Sequence, residues 1–414
     1  MVDLLKQKGV RPISVTDKWC VHAYYTLNPY APDGSGRILY AGANMKTNKV
    51  RIYIASNDGE VLDEFGNTTV QPSFYHTGAW QTWSSDARYV YYQSGDMSKP
   101  LICRYDTITK EEIRMDGDME GAPPFDEPII SGYLGMLYAA GYGSGIYAPD
   151  KAPIPFENRD RHGLFKFNVE EKKAELALSI NQILDLHPQK QEIIAAEKEY
   201  IERTGNKEGF TLMTYCVRWN RQGDRCLFYF GNHAAATTHK EPRICYIFTA
   251  DKDLKDIHLA LDLSFEKPMG AHWCWHPDGK QLVGYCATED NRKKFAVCTV
   301  NYDGTEFKKI SNHSSGGHVT ICPTDYNLLL TDESTHPGRV VFIDIPTDTE
   351  VGSYTLPRVN GEKETPGRHR FKVCHHPVFS DDGKKVIVNT MSGENALLCE
   401  LDTIFKDDKK EGEV

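Results

Sequence analysis

Three histidines and one cysteine stand at the same distance before a recurring turn motif. Cys216, His272, His318 and His376 precede by four residues Asn220, His276, Cys322 and Ser380, respectively. Alternate residues of a strand share a face, so side chains at one phase of a repeated strand point at one place. Three or four nitrogen and sulfur ligands suit a divalent metal such as zinc or manganese. The spacing therefore predicts a metal ion, with calcium as a further candidate, bound by His272, His318 and His376, and it indicates no organic cofactor.

The same spacing has a second explanation. Polar residues at one phase of a repeated strand can line a column of water, with each histidine hydrogen-bonded to nearby backbone. If a metal is bound, His375, His276 and Cys274 are alternative ligands, because they lie beside the predicted ones in the chain.

A second group of chemically capable residues lies earlier in the chain. His76 stands among aromatic residues in segment 74–83, Tyr142 lies in the glycine-rich segment 139–145, and Arg159 and Arg161 follow it. Taken singly, such residues are more often part of a core, and such an arginine is usually paired, here with Asp160. The further residues that we expect to bind a substrate are Gln93, Arg161, Arg218, Trp80 and His22.

Taken together, these residues suit elimination of a group from C4 of a uronic acid. The C5 proton is weakly acidic, so a cationic side chain must hold the carboxylate while negative charge develops on it. A tyrosine or histidine then removes the proton, and an acid protonates the leaving oxygen. The paired carboxylates of most glycosidases are hard to nominate, because the acidic residues cluster in turns.

The elements that must position these residues are short strands in a repeat. A turn containing Asp or Gly, followed by a strand rich in Val, Leu, Tyr and Phe, recurs about every 40 to 60 residues, as in a β-propeller. The copies are residues 34–40, 86–92, 131–138, 223–230, 279–285, 325–330 and 383–388. Seven copies predict an all-β, seven-bladed propeller. Two β-sandwiches are the alternative, but they do not require one repeated phase along the whole chain.

One segment departs from this pattern. Residues 180–205 combine helical spacing of apolar residues with strong helix formers, which predicts a helix inserted in a blade loop. We find no linker that divides the chain, so we expect one propeller domain over residues 1–414. Its ring spans about residues 12–402, and a charged tail covers 403–414.

Composition narrows the function classes. The 414 residues carry 48 Lys and Arg against 58 Asp and Glu, a net charge of −10, and no basic stripe suggests a nucleic-acid partner. No apolar run is long enough to span a membrane. The 11 cysteines are an odd number set in apolar runs, which favours reduced thiols and a cytoplasmic protein. A secreted protein whose signal peptide has been removed gives the same pattern.

Several segments resemble a known enzyme family. They are residues 24–37, 75–83, 119–123, 134–142 and 374–380. They resemble the seven-bladed propeller L-rhamnose-α-1,4-D-glucuronate lyases and their relatives described as α-L-rhamnosidases, and more distantly the ulvan lyases. The resemblance extends from about Trp19 to Leu401. It implies a lyase that acts on a uronate-containing oligosaccharide or polysaccharide and leaves a 4,5-unsaturated uronate.

The resemblance also implies roles for particular residues. Tyr142 matches a tyrosine in proton transfer, Arg159 an arginine that faces the uronate carboxylate, and His76 a histidine beside the sugar. Arg161 is the rival of Arg159. Ulvan lyases have a second histidine, and the nearest position in this chain is Gln93. Because glutamine cannot act as a base, the resemblance favours Tyr142 over a histidine pair for proton transfer.

Two other functions stay open at this stage. His22 corresponds to a histidine assigned in relatives described as rhamnosidases, so a hydrolase that releases rhamnose is one alternative. A non-catalytic propeller that binds sugars or proteins is another. Formation of an unsaturated uronate distinguishes the lyase from both.

Overall fold

The strands form seven small sheets. The structure, a computed structural model, describes residues 4–71, 74–96, 99–132, 159–233, 240–288, 291–365 and 368–406. In the first three sheets the strands, in spatial order, are β2 (Trp19–Val21), β3 (Ile38–Asn44), β4 (Lys49–Ala55) and β5 (Val61–Thr69); β6 (Thr82–Trp83), β7 (Tyr89–Gly95), β8 (Pro100–Asp106) and β9 (Glu112–Asp116); and β10 (Ile129–Gly132), β11 (Gly163–Asn168) and β12 (Lys173–Ser179).

The next four sheets continue the order along the chain. They consist of β13 (Met213–Trp219), β14 (Arg225–Gly231), β15 (Cys245–Asp251) and β16 (His258–Asp262); β17 (Gly270–Trp275), β18 (Gln281–Thr288), β19 (Asn291–Asn301) and β20 (Lys308–Ser311); β21 (Thr320–Ile321), β22 (Leu328–Glu333), β23 (Gly338–Asp344) and β24 (Thr349–Leu356); and β27 (Val378–Phe379), β28 (Lys385–Ser392), β29 (Asn395–Asp402) and β1 (Val10–Pro12). A separate hairpin pairs β25 (Glu362–Thr365) with β26 (Arg368–Arg370).

This arrangement is the predicted seven-bladed β-propeller. Apolar residues fill the spaces between neighbouring blades, with Trp273, Phe228 and Tyr92 almost fully buried. The repeated turn also has the expected geometry. Gly279 and Gly383 adopt φ of 71° and 70°, a region that favours glycine, and their amides donate to the carbonyls of His276 and Ser380.

The ring closes with strands from the two ends of the chain. β1 adds to the outer edge of the last blade, where Val10 pairs with Leu401 and Arg11 with Glu400. The buried Glu400 carboxylate also accepts a hydrogen bond from the Tyr30 hydroxyl at 2.9 Å. Glu400 therefore ties the last blade to the first blade and to β1.

The predicted helical insertion is present as two helices. They are α2 (Ile180–Leu186) and α3 (Lys190–Thr204), and a short helix, α1 (Phe74–Thr77), precedes β6. Ser179 and Gln182 form a capping box at the start of α2, and α3 ends at Gly205 with φ of 75°, as helix-capping rules expect. No described helix has the length and apolar character needed to cross a membrane.

The inner strand of the first blade leaves its sheet. Val21 pairs with Ala41, and the chain rejoins β3 only where Tyr30 bridges Ile38. The intervening residues 22–29 enter the central channel. Tyr24 demonstrates this, because its ring contacts side chains from the second, fourth, sixth and seventh blades: Trp80, Arg218, His318 and His376.

Candidate metal centre

Four blades place a strained residue at one position of the inner strand. Trp80, Cys216, His272 and His376 have φ of 53°, 55°, 55° and 47°, and each lies four residues before its turn. This left-handed region is unfavourable for residues with a Cβ, and it persists where surrounding structure enforces it. The ladder shifts register at this point in the fourth and fifth blades. Such a bulge re-aims a side chain, here toward the channel axis.

Three imidazoles meet at the axis, on the face of the ring where the inner strands begin. We call this the strand-start face, and the opposite one the turn face. Candidate ligand atoms of His76, His318 and His376 all lie within 4.8 Å of one another. Ring centroids are 4.1 Å apart for His318 and His376 and 4.6 Å apart for His76 and His376. His318 and His376 are buried, whereas His76 is half-buried, so the group opens toward solvent on the side of His76.

Unpartnered nitrogen atoms make this group suitable for a metal ion. Among the described residues, Nε2 of His318 and both ring nitrogens of His376 are buried without a hydrogen-bond partner. Buried polar atoms normally have partners, so each exception calls for an explanation. Burial, followed by the charge of His318, holds the pKa of His76 and His376 well below the usual range. Both imidazoles are therefore neutral at pH 7 and offer lone pairs to a cation.

Asp332, at the end of β22, orients one of these imidazoles. Its Oδ1 and Oδ2 lie 3.1 and 3.2 Å from Nδ1 of His318, and Oδ1 accepts the His318 backbone amide at 2.6 Å. Burial alone would raise the pKa of Asp332, but the charge and hydrogen bonds of His318 hold it well below the usual range. A carboxylate on Nδ1 fixes the proton there and leaves the Nε2 lone pair for a ligand.

The third predicted ligand, His272, lies beside the group rather than in it. Its ring centroid is 4.2 Å from that of His318, and its Nδ1 donates to the carbonyl of Gly317 at 2.8 Å. His76, which we expected beside the sugar, takes the third place in the group instead. The reason is that α1 carries His76 to the axis from outside the repeated strand phase, which Trp80 occupies in that blade.

The alternative ligands have other partners. Nδ1 of His375 lies 2.7 Å from the carbonyl of Asn389, and Sγ of Cys274 donates to the carbonyl of Val319 at 3.2 Å. Nδ1 of His276 accepts the amide of Asp278 within its turn at 3.1 Å. These contacts are structural, although Nε2 of His375 is also buried without a hydrogen-bond partner among the described residues.

Two tyrosines from residues 22–29 close the channel beneath the imidazoles. The ring of Tyr24 lies 4.9 Å from His376 and 5.2 Å from His76, and that of Tyr25 lies 5.0 Å from His318. The Tyr25 hydroxyl donates to the carbonyl of His272 at 2.6 Å and accepts from Nη1 of Arg218 at 3.3 Å. From the strand-start face inward, the channel thus contains first the imidazole group, then Tyr24 and Tyr25, and then the guanidinium of Arg218.

The residues that we expected to contact a uronate are widely dispersed. Tyr142 lies outside the described residues. Arg159 donates to the Glu197 carboxylate on α3 and, at 2.7 Å, to the carbonyl of Phe210, and Arg161 is exposed. Arg159 is thus committed to the inserted helix, not to Asp160, which accepts from Asn181 at 2.6 Å.

The remaining predicted residues are in the interior. Gln93 accepts the amide of Met119 at 2.9 Å and donates to the carbonyl of Leu101 at 3.1 Å, which is a structural role. Trp80 packs 5.9 Å from Tyr24. His22 is 0% exposed and 6.3 Å from His376 between ring centroids, so a sugar cannot reach it in this structure.

Sequence reasoning missed Asp332, Tyr24 and Tyr25. Asp332 had a weak signal, because it is the penultimate residue of the strand that follows the turn after His318, and adjacent strands bring such residues together. The tyrosines begin segment 24–37, one of the segments that carry the family resemblance, but only the broken register of the first blade carries them to the axis.

Comparison with known proteins bears on the fold alone. No protein-family model matches the chain, and no curated protein matches it. Solved structures do: an oligogalacturonate lyase in complex with manganese is 14% identical, covers 96% of this chain and 93% of its own, and has a TM-score of 0.62. An oligogalacturonate lyase from Vibrio parahaemolyticus is 13% identical, covers 95% and 93%, and has a TM-score of 0.61. The Cps50 (Swd1) β-propeller domain of Myceliophteria thermophila is 9% identical, covers 95% and 98%, and has a TM-score of 0.52. The chain thus has the propeller fold that these proteins share.

Proposed function

We propose that this protein is a metal-assisted lyase that cleaves 4-linked uronate oligosaccharides by β-elimination. The observation that carries the proposal is the convergence of His76, His318 and His376, with buried unpartnered nitrogens, on one point of the channel axis. The likeness in fold to oligogalacturonate lyases, one of them in complex with manganese, supports both the reaction class and the ion.

The chemistry requires a concentrated positive charge beside the substrate carboxylate. A manganese or zinc ion held by the three imidazoles would supply that charge. The half-buried His76 lies on the open side of the group, so the substrate approaches from the strand-start face. Tyr24 and Tyr25 close the other side, which keeps bulk water out and strengthens electrostatic interactions in the site.

Two residues are candidates for proton transfer. Tyr142 is assigned by the sequence resemblance. His272 is the candidate within the described chain: its Nδ1 faces the carbonyl oxygen of Gly317 and must therefore carry the proton, which leaves the Nε2 lone pair beside the imidazole group. Burial and the charge of His318 lower the pKa of His272 to about 3, so Nε2 is unprotonated at neutral pH but is a weak base, because a general base works best with a pKa near the operating pH.

Two observations bear on which uronate linkage the protein cleaves. The sequence resemblance favours the rhamnose-α-1,4-glucuronate linkage, and the names of the structural neighbours favour 4-linked galacturonate. Both carry a carboxylate beside the acidic C5 proton and a leaving oxygen at C4, so one metal-centred site suits both. A rhamnosidase that depends on His22 gains no support, because His22 is fully buried.

Product analysis of the full chain tests the proposal. Protein stripped with a chelator and reloaded with manganese is mixed separately with oligogalacturonates and rhamnose-capped glucuronate oligosaccharides. We expect ultraviolet absorbance of a 4,5-unsaturated uronate and, by mass spectrometry, products with no added water. Products whose masses sum to that of the substrate plus one water would identify a hydrolase, and binding without turnover of any of these substrates would identify a non-catalytic module.

Matched variants connect the reaction to the site. His318→Ala and His376→Ala should lose the metal ion and at least about 100-fold in kcat/KM, because a removed metal ligand takes with it several kcal/mol of charge stabilisation. His258→Ala is the control, since His258 lies on β16 beside Asp256, away from the axis. A metal-free wild type with full activity would refute the proposed ion.

A further inference from the structure

A cavity lies on the turn face, opposite the imidazole group. Its volume is about 370 Å³, and its lining includes Asn28, Trp83, Glu120 and Arg218. A neighbouring cavity of about 110 Å³ shares Asn28 and Arg218 with it. Tyr24 and Tyr25 separate both cavities from the imidazoles. This mouth of the channel is therefore a second concave site of the size that suits a small molecule.

Arg218 places a buried positive charge in this cavity. The residue is 8% exposed, and its guanidinium lies over the rings of Tyr24, Tyr25 and Tyr229 at 5.1 to 5.7 Å. It donates to the Tyr25 hydroxyl and to the carbonyl of Trp273. No carboxylate among the described residues forms an ion pair with it. Buried charges are normally paired, so this guanidinium lacks a counter-ion.

The carboxyl group of Glu120 does not supply that counter-ion. Its Oε1 accepts the backbone amide of Cys216 at 3.0 Å. Burial, followed by the charge of Asp118, raises the pKa of Glu120 to about 8 in spite of the lowering effect of Arg218. Glu120 is therefore mostly protonated at pH 7 and can donate a hydrogen bond into the cavity.

We propose that the turn-face cavity binds a sugar acid of monosaccharide size, with its carboxylate on Arg218. A planar guanidinium matches a carboxylate in a two-point contact. Asn28 and the Glu120 carboxyl offer hydrogen bonds to hydroxyl groups. The lining also offers apolar surface from Leu27, Pro123 and Pro124. This combination suits a pyranose ring, which has an apolar face and a polar rim.

The charges around the cavity favour a carboxylate over a phosphate. Asp381 lines the rim, where it pairs with Arg221 and accepts a hydrogen bond from Asn28 at 3.0 Å, and Asp118 lies close to Glu120. A singly charged anion meets less repulsion from these acids than a doubly charged one. Arg218 is also a single buried cation, which balances one negative charge.

Calorimetric titration of the full chain after removal of metal with a chelator tests this site separately from catalysis, because the imidazole group then holds no ion that binds a carboxylate. The probe is D-galacturonate, a monosaccharide without a glycosidic bond to cleave, and D-galactose is its uncharged counterpart. We expect galacturonate to bind the wild type and the His318→Ala variant equally, because His318 belongs to the other mouth. Arg218→Gln should weaken binding about 10- to 100-fold, the loss typical of a charge-assisted hydrogen-bond pair.

A second variant keeps the test decisive if Arg218→Gln does not fold. Ala122→Phe fills the cavity from its lining without removing the charge, and it should abolish galacturonate binding while manganese binding stays unchanged. Several results would overturn the proposal: no galacturonate binding by the wild type, loss of binding in His318→Ala, equal binding of galactose, or tighter binding of inorganic phosphate. None of them bears on elimination at the imidazole group, so the two proposals fail independently.

Discussion

The carboxylate of Asp332 accepts both the backbone amide and the Nδ1 proton of His318. The contacts measure 2.6 and 3.1 Å to one oxygen atom, and both residues are buried. A single carboxylate thus fixes the position and tautomer of the imidazole at the centre of the group.

Asp332→Asn should therefore weaken metal binding without removing a ligand. The amide keeps the size of the side chain but loses the negative charge that holds the proton on Nδ1 of His318. We expect manganese affinity to fall about 10- to 100-fold, measured by competition with a calibrated chelator. Asp58→Asn, at a side chain that is 85% exposed, is the control, and equal affinities in the two variants would exclude this role of Asp332.

Tyr25→Phe should destabilise the protein by removing hydrogen bonds around Arg218. The variant removes the hydroxyl that donates to the carbonyl of His272 and accepts from Arg218, so buried polar groups lose a partner. We expect a loss of about 1–3 kcal/mol in the free energy of unfolding, measured by urea denaturation. Tyr24→Phe keeps the aromatic ring at position 24 and the hydroxyl of Tyr25, so we expect it to lower the free energy of unfolding by less. A larger loss in Tyr24→Phe would contradict the assigned hydrogen bonds.

Glu120→Gln should change how stability depends on pH. The folded-state pKa of Glu120 is raised to about 8 from 4.5, so its contribution to stability is full below pH 4.5 and is lost as pH rises toward 8. The glutamine has no such loss. Between pH 4.5 and about 8, the free energy of unfolding of the variant should therefore rise relative to that of wild type by up to about 1.4 kcal/mol per pH unit. Above this range the difference should stay constant.

Urea denaturation of both proteins at several pH values measures this difference. Glu60→Gln, at an exposed turn, is the control and should follow the wild-type profile. Parallel profiles for Glu120→Gln and wild type would mean that Glu120 ionises normally in the folded protein.

Glu400→Ala should weaken closure of the ring. The variant removes the ion pair with Arg11 and the hydrogen bond from Tyr30. We expect a loss of about 1–2 kcal/mol in the free energy of unfolding, since Arg11 is 41% exposed. Amide hydrogen exchange should become faster in β1, whereas exchange in the fourth and fifth blades should change less. Unchanged exchange in β1 would place the closing contacts elsewhere.

Much of the fold was predictable because one physical unit is repeated. Each blade needs a tight turn and a strand that is buried on both faces, and both leave local patterns such as Asp-Gly before Val, Leu and Tyr. The inserted helices were predictable for the same reason, since residues 180–205 carry the helical period.

The site was less predictable because its members do not share one phase. His318 and His376 follow the repeat, but His76 arrives on α1, and Tyr24 and Tyr25 reach the axis only where the first blade breaks its register. Ion pairs between residues that are far apart in the sequence could not be predicted either. Arg159 is bound by Glu197, 38 residues away, and no local pattern marks such a partner.

Because β1 lies in the same blade as β29, the molecule has no structural first or last sheet. A circular permutant that joins the present ends and opens at an exposed turn such as residues 303–304 keeps every strand beside its native neighbours. Conversely, pulling on the two ends loads the β1–β29 ladder in shear, so the ring resists stretching through the three residue pairs of this ladder and the flanking backbone hydrogen bonds of Ile13 and Asp402.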